Sequence, residues 1–251
     1  WRGRQAHPAP GPAEPDQDDL QHAKRVILER PPIEDRRRLY EEPEFGRLLS
    51  KNQAKGSILS PVLRSAWDSE DLSNVTKSPQ VASDPHISIA AAITAEELTL
   101  VMPENDRYNG FINRFGIVWV ERAGLIPIPT LPERDTYSEL RSRLRQALET
   151  GSNGRLGRGS REIQFADSDA VSTWGQIYRD IESDNRELGE FFSRFSPTVR
   201  RVAMIYATLD CRINVSSDDL LAAKGVVDYF RDSVEMVFGT IVVNRREQRS
   251  L

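Results

Sequence analysis

HISIAAAITAEE, residues 86–97, is the stretch that decides the fold class. Its first part, His86 to Ile93, is a compact apolar run rich in β-branched residues, which predicts a buried strand. Thr94 and Glu97 then have the spacing of a capping box, in which two side chains satisfy free backbone amides at the start of a helix. The sequence therefore predicts a buried strand that leads directly into a helix.

A second apolar run extends this pattern toward the C-terminus. Phe115 to Val120 (FGIVWV) follows the turn signal Asn109-Gly110 and stops at the charged pair Glu121-Arg122. A strand, a helix and a strand in this order are typical of a mostly parallel sheet. On the other side, Ser60-Pro61 predicts the N-cap and first position of a short amphipathic helix.

Beyond Pro127, Pro129 and Pro132 the pattern becomes helical. Ser196-Pro197 predicts the start of one helix, with an apolar face made of Val202, Ile205, Tyr206 and Leu209. A longer helix is predicted from Ser216, with Asp219 three residues later and Gly239 at its end. Its apolar positions step by three and four along one seam. They are Leu220, Ala223, Val227, Phe230, Val234 and Val237.

These patterns divide the chain into four parts. Residues 1–36 are rich in proline and polar residues and predict a disordered or linker tail. Residues 37–131 predict the α/β part, 132–161 a basic, glycine-rich linker, and 162–251 an α-helical domain. The predicted fold class is thus α/β, with a mostly parallel sheet followed by a helical bundle.

Composition narrows the classes of function. A formal net charge of −4 over 251 residues gives no global attraction to nucleic acid. Cys211 is the only cysteine, which excludes an internal disulfide framework and a cysteine-based zinc site. No apolar run reaches membrane-spanning length, and Trp1 opens neither a secretion signal nor a natural start. We expect a cytoplasmic protein without membrane contact, and a chain that is a fragment or a trimmed product.

A local positive excess lies between Pro132 and Arg161, where seven arginines stand against four acidic residues. A flexible basic segment can bind phosphate backbones without reading their sequence. Arg155, Arg158 and Arg161 are therefore the candidate contacts to single-stranded or double-stranded DNA. A solvated helix face is the alternative interpretation.

Nucleotide hydrolysis on this kind of fold requires a phosphate loop of the form GxxxxGK[ST]. The chain contains no such motif, and the glycine-rich stretch from Gly151 to Ser160 lacks the lysine that would follow the last glycine. The three histidines suggest no metal-binding geometry. We therefore expect the isolated chain to bind neither ATP nor a metal ion.

A set of short motifs follows one order along residues 33–239. In the α/β part they are Glu42-Pro43-Glu44-Phe45, Arg47-Leu48-Leu49, Leu59-Ser60, Leu63-Arg64, Ala66-Trp67-Asp68, His86-Ile87-Ser88-Ile89, Ile93-Thr94, Glu96-Glu97-Leu98, Asn109-Gly110-Phe111 and Asn113-Arg114-Phe115. In the helical part they are Arg194, Arg201, Ala203, Ile205-Tyr206-Ala207, Leu209-Asp210, Ala222-Ala223, Asp228-Tyr229, Ser233 and Phe238-Gly239. In these motifs the chain resembles the helicase-like proteins of prophages and plasmids, a family with a RecA-like ATPase core, some fused to primase/polymerase domains.

The resemblance implies the C-terminal part of an oligomeric, nucleic-acid-dependent ATPase of replicative helicase type, with its phosphate loop upstream. The fold would be the C-terminal part of a RecA-like sheet followed by a helical lid. ATP and Mg²⁺ would bind only to the complete protein. The alternative is a degenerate module that kept the fold for assembly or DNA binding and lost the nucleotide chemistry.

The resemblance also implies roles for particular residues. Glu42 and Glu44 would take the acidic position that serves Mg²⁺ and water, although each has the alternative of being an ordinary exposed carboxylate. Thr94 would sense the γ-phosphate or simply cap its helix. Arg114 would reach the phosphate of a neighbouring subunit or form a salt bridge to Asp106 or Glu104.

Three further residues are implied as nucleotide contacts. Asn113 belongs to the same motif as Arg114, and Arg194 and Arg201 would face the nucleotide from the helical lid. Ordinary surface positions on a helix are the alternative for the two arginines.

Overall fold

The computed structural model describes residues 36–74, 80–102, 106, 108–128, 130, 137–152, 162–183 and 188–249, with side chains as far as residue 239. The predicted tail, apart from Arg36, and the arginines at 155, 158 and 161 lie outside these residues. The residues from Asp35 to Leu251 form one compact unit.

The fold is mixed α/β and mainly helical. The strands are β1 (Arg37–Glu42), β2 (Leu72–Ser73), β3 (Val81–Ala82), β4 (His86–Ala91), β5 (Gln164–Phe165) and β6 (Asn214–Val215). The helices are α1 (Phe45–Gln53), α2 (Leu59–Trp67), α3 (Ala95–Val101), α4 (Ser138–Gly151), α5 (Ser168–Glu182), α6 (Gly189–Phe192), α7 (Phe195–Leu209) and α8 (Ser217–Arg249), with a 3₁₀ turn at Ile112–Arg114.

A parallel pair of strands organises the α/β part. β1 and β4 run side by side, with Arg37 opposite His86 and Glu42 opposite Ala91. β5 and β6 form a shorter parallel pair, and β2 and β3 pair in the antiparallel direction. The prediction of an α/β fold with parallel pairing is confirmed, in the form of short sheets.

Two predictions about the sheet were wrong in detail. β4 is largely exposed rather than buried, with only Ile89 partly covered, because β1 is its single strand neighbour among the described residues. The run from Phe115 to Val120 is not a strand. Its backbone bonds to helix α8 instead: the Trp119 amide donates to Ser233 Oγ at 3.0 Å, and the Tyr229 hydroxyl donates to the Trp119 carbonyl.

Helix starts follow the sequence at two of the four predicted sites, and α7 begins at Phe195, one residue before the predicted Ser196. Thr94 caps α3 by accepting a hydrogen bond from the Glu97 amide at 3.2 Å, as predicted. Ser216 and Asp219 cap α8 reciprocally. The Ser60 cap was wrong, since α2 begins at Leu59 and the Ser60 amide donates to the Asn52 side chain at 3.0 Å. An asparagine on α1 therefore does the capping that the local sequence assigns to a serine.

In the helical part the buried faces differ from the predicted ones at their edges. On α7 the buried residues are Phe195, Ser196, Val199, Ala203 and Ala207, whereas Ile205 and Leu209 are exposed. The small alanines suit close approach to α8, which is the main packing partner of α7. Of the predicted face, Val202 and Tyr206 pack against the core, and Ile205 and Leu209 do not.

On α8 most of the predicted seam is correct. Leu220, Ala223, Val227 and Val234 are buried, but Phe238 rather than Val237 completes the seam. Phe238 stacks on Phe191 with ring centroids 4.7 Å apart. The helix also continues through Gly239 to Arg249, so the predicted end was wrong. Glycine inside a helix costs about 1 kcal/mol, which is too little to stop a well-packed helix.

One hydrophobic core joins the α/β and helical parts. It includes Phe45 and Leu49 of α1, Phe111 beside the 3₁₀ turn, and Val199 and Leu220 of the helical part. Phe115 links these regions, since its ring lies 5.2 Å from that of Phe45 and 5.3 Å from that of Phe111. Ile93, two residues after β4, packs against the same core.

Candidate functional site

The carboxyl ends of β1 and β4 lie at the same edge of the parallel pair. Glu42 closes β1, and the Ala92 amide donates to its carbonyl at 3.1 Å. Thr94 follows two residues later and starts α3. Ligands of open parallel sheets bind at this edge, because loops there surround the helix starts. The fold thus brings two predicted site residues, Glu42 and Thr94, to one edge.

Glu42 is a buried carboxylate, 7% exposed. The Tyr40 hydroxyl donates to Oε2 at 2.9 Å, and the Glu44 amide donates to Oε1 at 3.2 Å. The bond from Tyr40, followed by the one from Glu44, lowers the pKa of Glu42, and the same contact raises the pKa of Tyr40. Glu42 is therefore ionised at neutral pH, with each oxygen already accepting one hydrogen bond.

Glu44 differs from Glu42 although only two residues separate them. It stands at the N-cap of α1 without a side-chain cap bond. Its carboxylate is exposed and lies 3.9 Å from the exposed Arg47 guanidinium. The alternative of an ordinary exposed carboxylate thus describes Glu44 and does not describe Glu42.

Thr94 uses its hydroxyl oxygen as the helix cap described above. A threonine hydroxyl has one donor and two acceptor positions, so capping occupies one acceptor. Thr94 also lines the cleft described below. Both predicted roles, cap and phosphate sensor, are compatible with this geometry.

Arg114 is held in a salt bridge at the end of the 3₁₀ turn. Its Nη2 lies 2.6 Å from Asp68 Oδ2, and Nη1 donates to the Gly110 carbonyl. Its side chain is 9% exposed and that of Asp68 is 38% exposed. Gly110 has a φ of +82°, and a Cβ placed there would lie 2.8 Å from Arg114 Nη1, so this turn requires glycine.

The partner of Arg114 was predicted wrongly. Asp106 instead accepts hydrogen bonds from Asn52 at 2.6 Å and Asn109 at 2.8 Å, and Glu104 lies outside the described residues. Asp68 is 46 residues from Arg114 along the chain. No local pattern can identify a partner at that separation.

Arg201 lies flat against Trp67, next to Asp68. Its guanidinium carbon is 3.7 Å from the centre of the Trp67 ring, and Nη2 donates to the Trp67 carbonyl at 2.8 Å. Burial lowers the pKa of Arg201, Asp68 opposes this effect, and the nearby cations Arg194, Arg114 and Arg200 add to it. We call Arg114, Arg194, Arg200 and Arg201 the arginine cluster. Within this cluster Asp68 pairs with Arg114 and acts on the charge of Arg201.

Asn113 serves a packing contact. Its amide nitrogen donates to Ser193 Oγ at 2.7 Å and to the Glu190 carbonyl at 3.2 Å, which ties the 3₁₀ turn to helix α6. Its Oδ1 atom is buried and accepts no hydrogen bond. Asn113 thus helps to place Arg114, one residue later, and does not line the cleft.

An open cleft of about 730 Å³ lies beside the carboxyl edge. One wall is β4, the opposite wall is the extended segment 115–120, and α2 contributes Leu63 and Trp67. Thr94, Arg64 and Arg114 are among its polar lining residues, whereas Glu42, Glu44, Asn113, Arg194 and Arg201 lie outside the lining. The predicted residues therefore fall into two groups. Thr94 and Arg114 line the cleft, and Arg114 also belongs to the arginine cluster.

Sequence reasoning did not assign Trp67 or Asp68 a role in holding an arginine. Both belong to the Ala66-Trp67-Asp68 match, and they close an amphipathic helix with an aromatic residue and an acid. An aromatic residue followed by an acid at a helix end can hold an arginine, which stacks on the ring or pairs with the carboxylate. This pattern was visible in the sequence, although it does not identify the arginine.

Neither a metal site nor a membrane span is found among the described residues. Within the described ranges, no group of three or more histidine, cysteine or acidic residues could hold a metal ion. No helix in the described part of the chain is long and apolar enough to cross a membrane.

Comparisons with protein-family models, curated proteins and solved structures match nothing to this chain.

Proposed function

We propose that the chain is the C-terminal portion of a nucleic-acid-dependent ATPase of replicative helicase type, whose phosphate loop lies upstream. The observation that carries this proposal is the carboxyl edge of β1 and β4. There an ionised buried glutamate ends β1, a threonine starts the helix after β4, and Thr94 and Arg114 line the cleft beside this edge. This is where open parallel sheets bind nucleotides and other ligands.

The exposed state of β4 supports the same proposal. Parallel sheets are normally covered on both faces, and a sheet of two strands has little stability by itself. Within the described residues, β4 pairs on one side only, and the cleft separates it from the extended segment 115–120. A further strand in this space would continue a RecA-like sheet, and its carboxyl end would point a phosphate loop at Thr94 and Glu42.

Each site residue has a role under this proposal. In the complete protein Glu42 would supply an ionised carboxylate for Mg²⁺ and the attacking water. Thr94 would offer its hydroxyl to the γ-phosphate, and Arg114 and Arg201 would balance phosphate charge. In the isolated chain Asp68 already neutralises part of the positive charge of these arginines. ATP and Mg²⁺ therefore belong to the complete protein.

The wider context of the proposal comes from the resemblance. It includes a homo-oligomer, a phage or mobile-element origin, a cytoplasmic location and DNA as the activating partner. The candidate DNA contacts remain Arg155, Arg158 and Arg161.

A second candidate function is a non-catalytic assembly or DNA-binding module. The observation that favours it is the engagement of the two central groups: Arg114 is buried against Asp68, and each oxygen of Glu42 accepts a hydrogen bond. A protein that had lost nucleotide chemistry would keep such contacts for stability alone.

Calorimetric titration with Mg-ATP separates the two candidates. The isolated chain should show no sub-millimolar binding, because the arginine cluster alone gives too few contacts to a triphosphate. A chain extended upstream to include a GxxxxGK[ST] motif should bind at micromolar concentration. Micromolar binding by the isolated chain would contradict the proposed division, and the absence of an upstream motif would favour the assembly module.

A further inference from the structure

Helix α4, Ser138–Gly151, leaves most of its apolar face open. Ala147 is its one buried side chain, and Gly151 lies against Thr208 of α7. Leu140, Leu144 and Leu148 are 60%, 49% and 45% exposed. Residues four apart are offset by about 40° around a helix, so the three leucines lie within about 80° of arc. We call these three residues the leucine stripe.

The charges beside the leucine stripe have one sign along its middle. Arg141 and Arg145 follow Leu140 and Leu144 by one position each and border the stripe on one side, and Arg143 lies between them in sequence. The acidic residues Glu139 and Glu149 stand at the two ends of the helix. An apolar stripe bordered by arginines is complementary to an apolar stripe bordered by acids.

We propose that the leucine stripe is a docking surface for an acidic amphipathic helix of a partner protein. Leucines at helical spacing fit the apolar side of another helix, in the helix-in-groove manner of peptide recognition. The neighbouring arginines select acidic residues on its flanks. This inference does not depend on the ATPase proposal.

The stripe favours this occupant over two others. A second copy of the chain would bring the same arginines against one another, and like charges across an interface oppose binding. DNA would use the arginines but would leave the three leucines uncovered, since phosphate contacts need no apolar surface. An acidic helix uses both features together.

The test measures fluorescence anisotropy of a labelled helical peptide of about 18 residues, with leucines at alternating three- and four-residue spacing and glutamates beside them. A scrambled peptide and a peptide with lysine in place of glutamate serve as ligand controls, with single-stranded DNA as the competing ligand. The variants are Leu144→Asn and the double change Arg141→Glu with Arg145→Glu. Leu100→Asn is the matched control, because Leu100 is also an exposed helical leucine.

The acidic peptide should bind at least tenfold more tightly than either control peptide. Leu144→Asn should weaken this binding about tenfold while Leu100→Asn leaves it unchanged, and the double charge reversal should transfer the preference to the lysine peptide. Circular dichroism checks that each variant keeps its helix content. The proposal fails if the acidic peptide shows no saturable binding, or if Leu144→Asn has no effect. It also fails if only DNA binds, or if sedimentation shows a dimer that Leu144→Asn dissociates.

Discussion

Replacing Arg114 with alanine should destabilise the isolated chain. The change removes the 2.6 Å ion pair with Asp68 and the hydrogen bond to the Gly110 carbonyl. Exposed pairs contribute about 0–1 kcal/mol, and breaking a buried pair costs about 3–5 kcal/mol. With one nearly buried and one half-exposed partner, we expect a loss of about 3 kcal/mol. For a unit of this size that corresponds to a fall in Tm of about 6–12 °C.

Thermal and urea unfolding of the isolated chain measure this loss, and Asp68→Asn provides the second arm of a double-mutant cycle. The losses of the two single variants should sum to more than the loss of the double variant, since both changes break the same contact. Arg47→Ala is the control, because Arg47 is exposed and forms only a long contact with Glu44. A Tm of Arg114→Ala within about 1 °C of the wild type would refute the structural role. If that variant also lost ATP turnover in the complete protein, Arg114 would be a trans-acting arginine.

Two other predictions rest on described contacts, and a third rests on the sequence of the basic segment. Tyr40→Phe should reduce the unfolding free energy at neutral pH but not in acid. The hydrogen bond from Tyr40 lowers the folded pKa of Glu42 below its ordinary value of 4.5, so the stabilisation it gives is lost as pH falls through the folded pKa. A difference between variant and wild type that persists in acid contradicts this prediction. Asn52→Ala should lower the free energy of unfolding in urea by about 1–3 kcal/mol, because buried Asp106 and the Ser60 amide each lose a hydrogen-bond partner. An unchanged midpoint would show that water replaces the side chain. Changing Arg155, Arg158 and Arg161 to serine should weaken binding of single-stranded DNA and reduce the slope of log affinity against log salt by about two, whereas an unchanged slope removes this segment as a contact.

Local signals in the sequence predicted the elements whose ends are fixed by neighbouring residues. Thr94 caps α3 and Ser216 caps α8, since a side chain three residues from an amide needs no distant partner. The seam from Leu220 to Val234 was correct for the same reason: helical spacing alone decides which side chains share a face.

The errors occur where distant residues decide the outcome. Asn52 caps α2 from another helix, and Asp68 pairs with Arg114 across 46 residues. The segment from Phe115 to Val120 has the composition of a strand, but its backbone forms hydrogen bonds with Ser233 and Tyr229 of α8 instead. Composition could not show that β4 would have a single strand neighbour in the described part of the chain. Contacts between distant segments therefore determine the geometry of the site. The sequence predicts which residue types the site contains better than it predicts which residues pair.

The effect of Glu42 on ATP turnover tests the central claim most directly. Glu42 and Glu41 are adjacent on β1, yet Glu42 is buried at the carboxyl edge and Glu41 is exposed. In a chain extended upstream to include a phosphate loop, Glu42→Gln should lower DNA-stimulated Mg-ATP hydrolysis by two or more orders of magnitude, on the order of what a lost catalytic carboxylate costs. Glu41→Gln should leave the rate unchanged. Equal rates for Glu42→Gln and the wild type would contradict the assignment of this edge as an ATPase site.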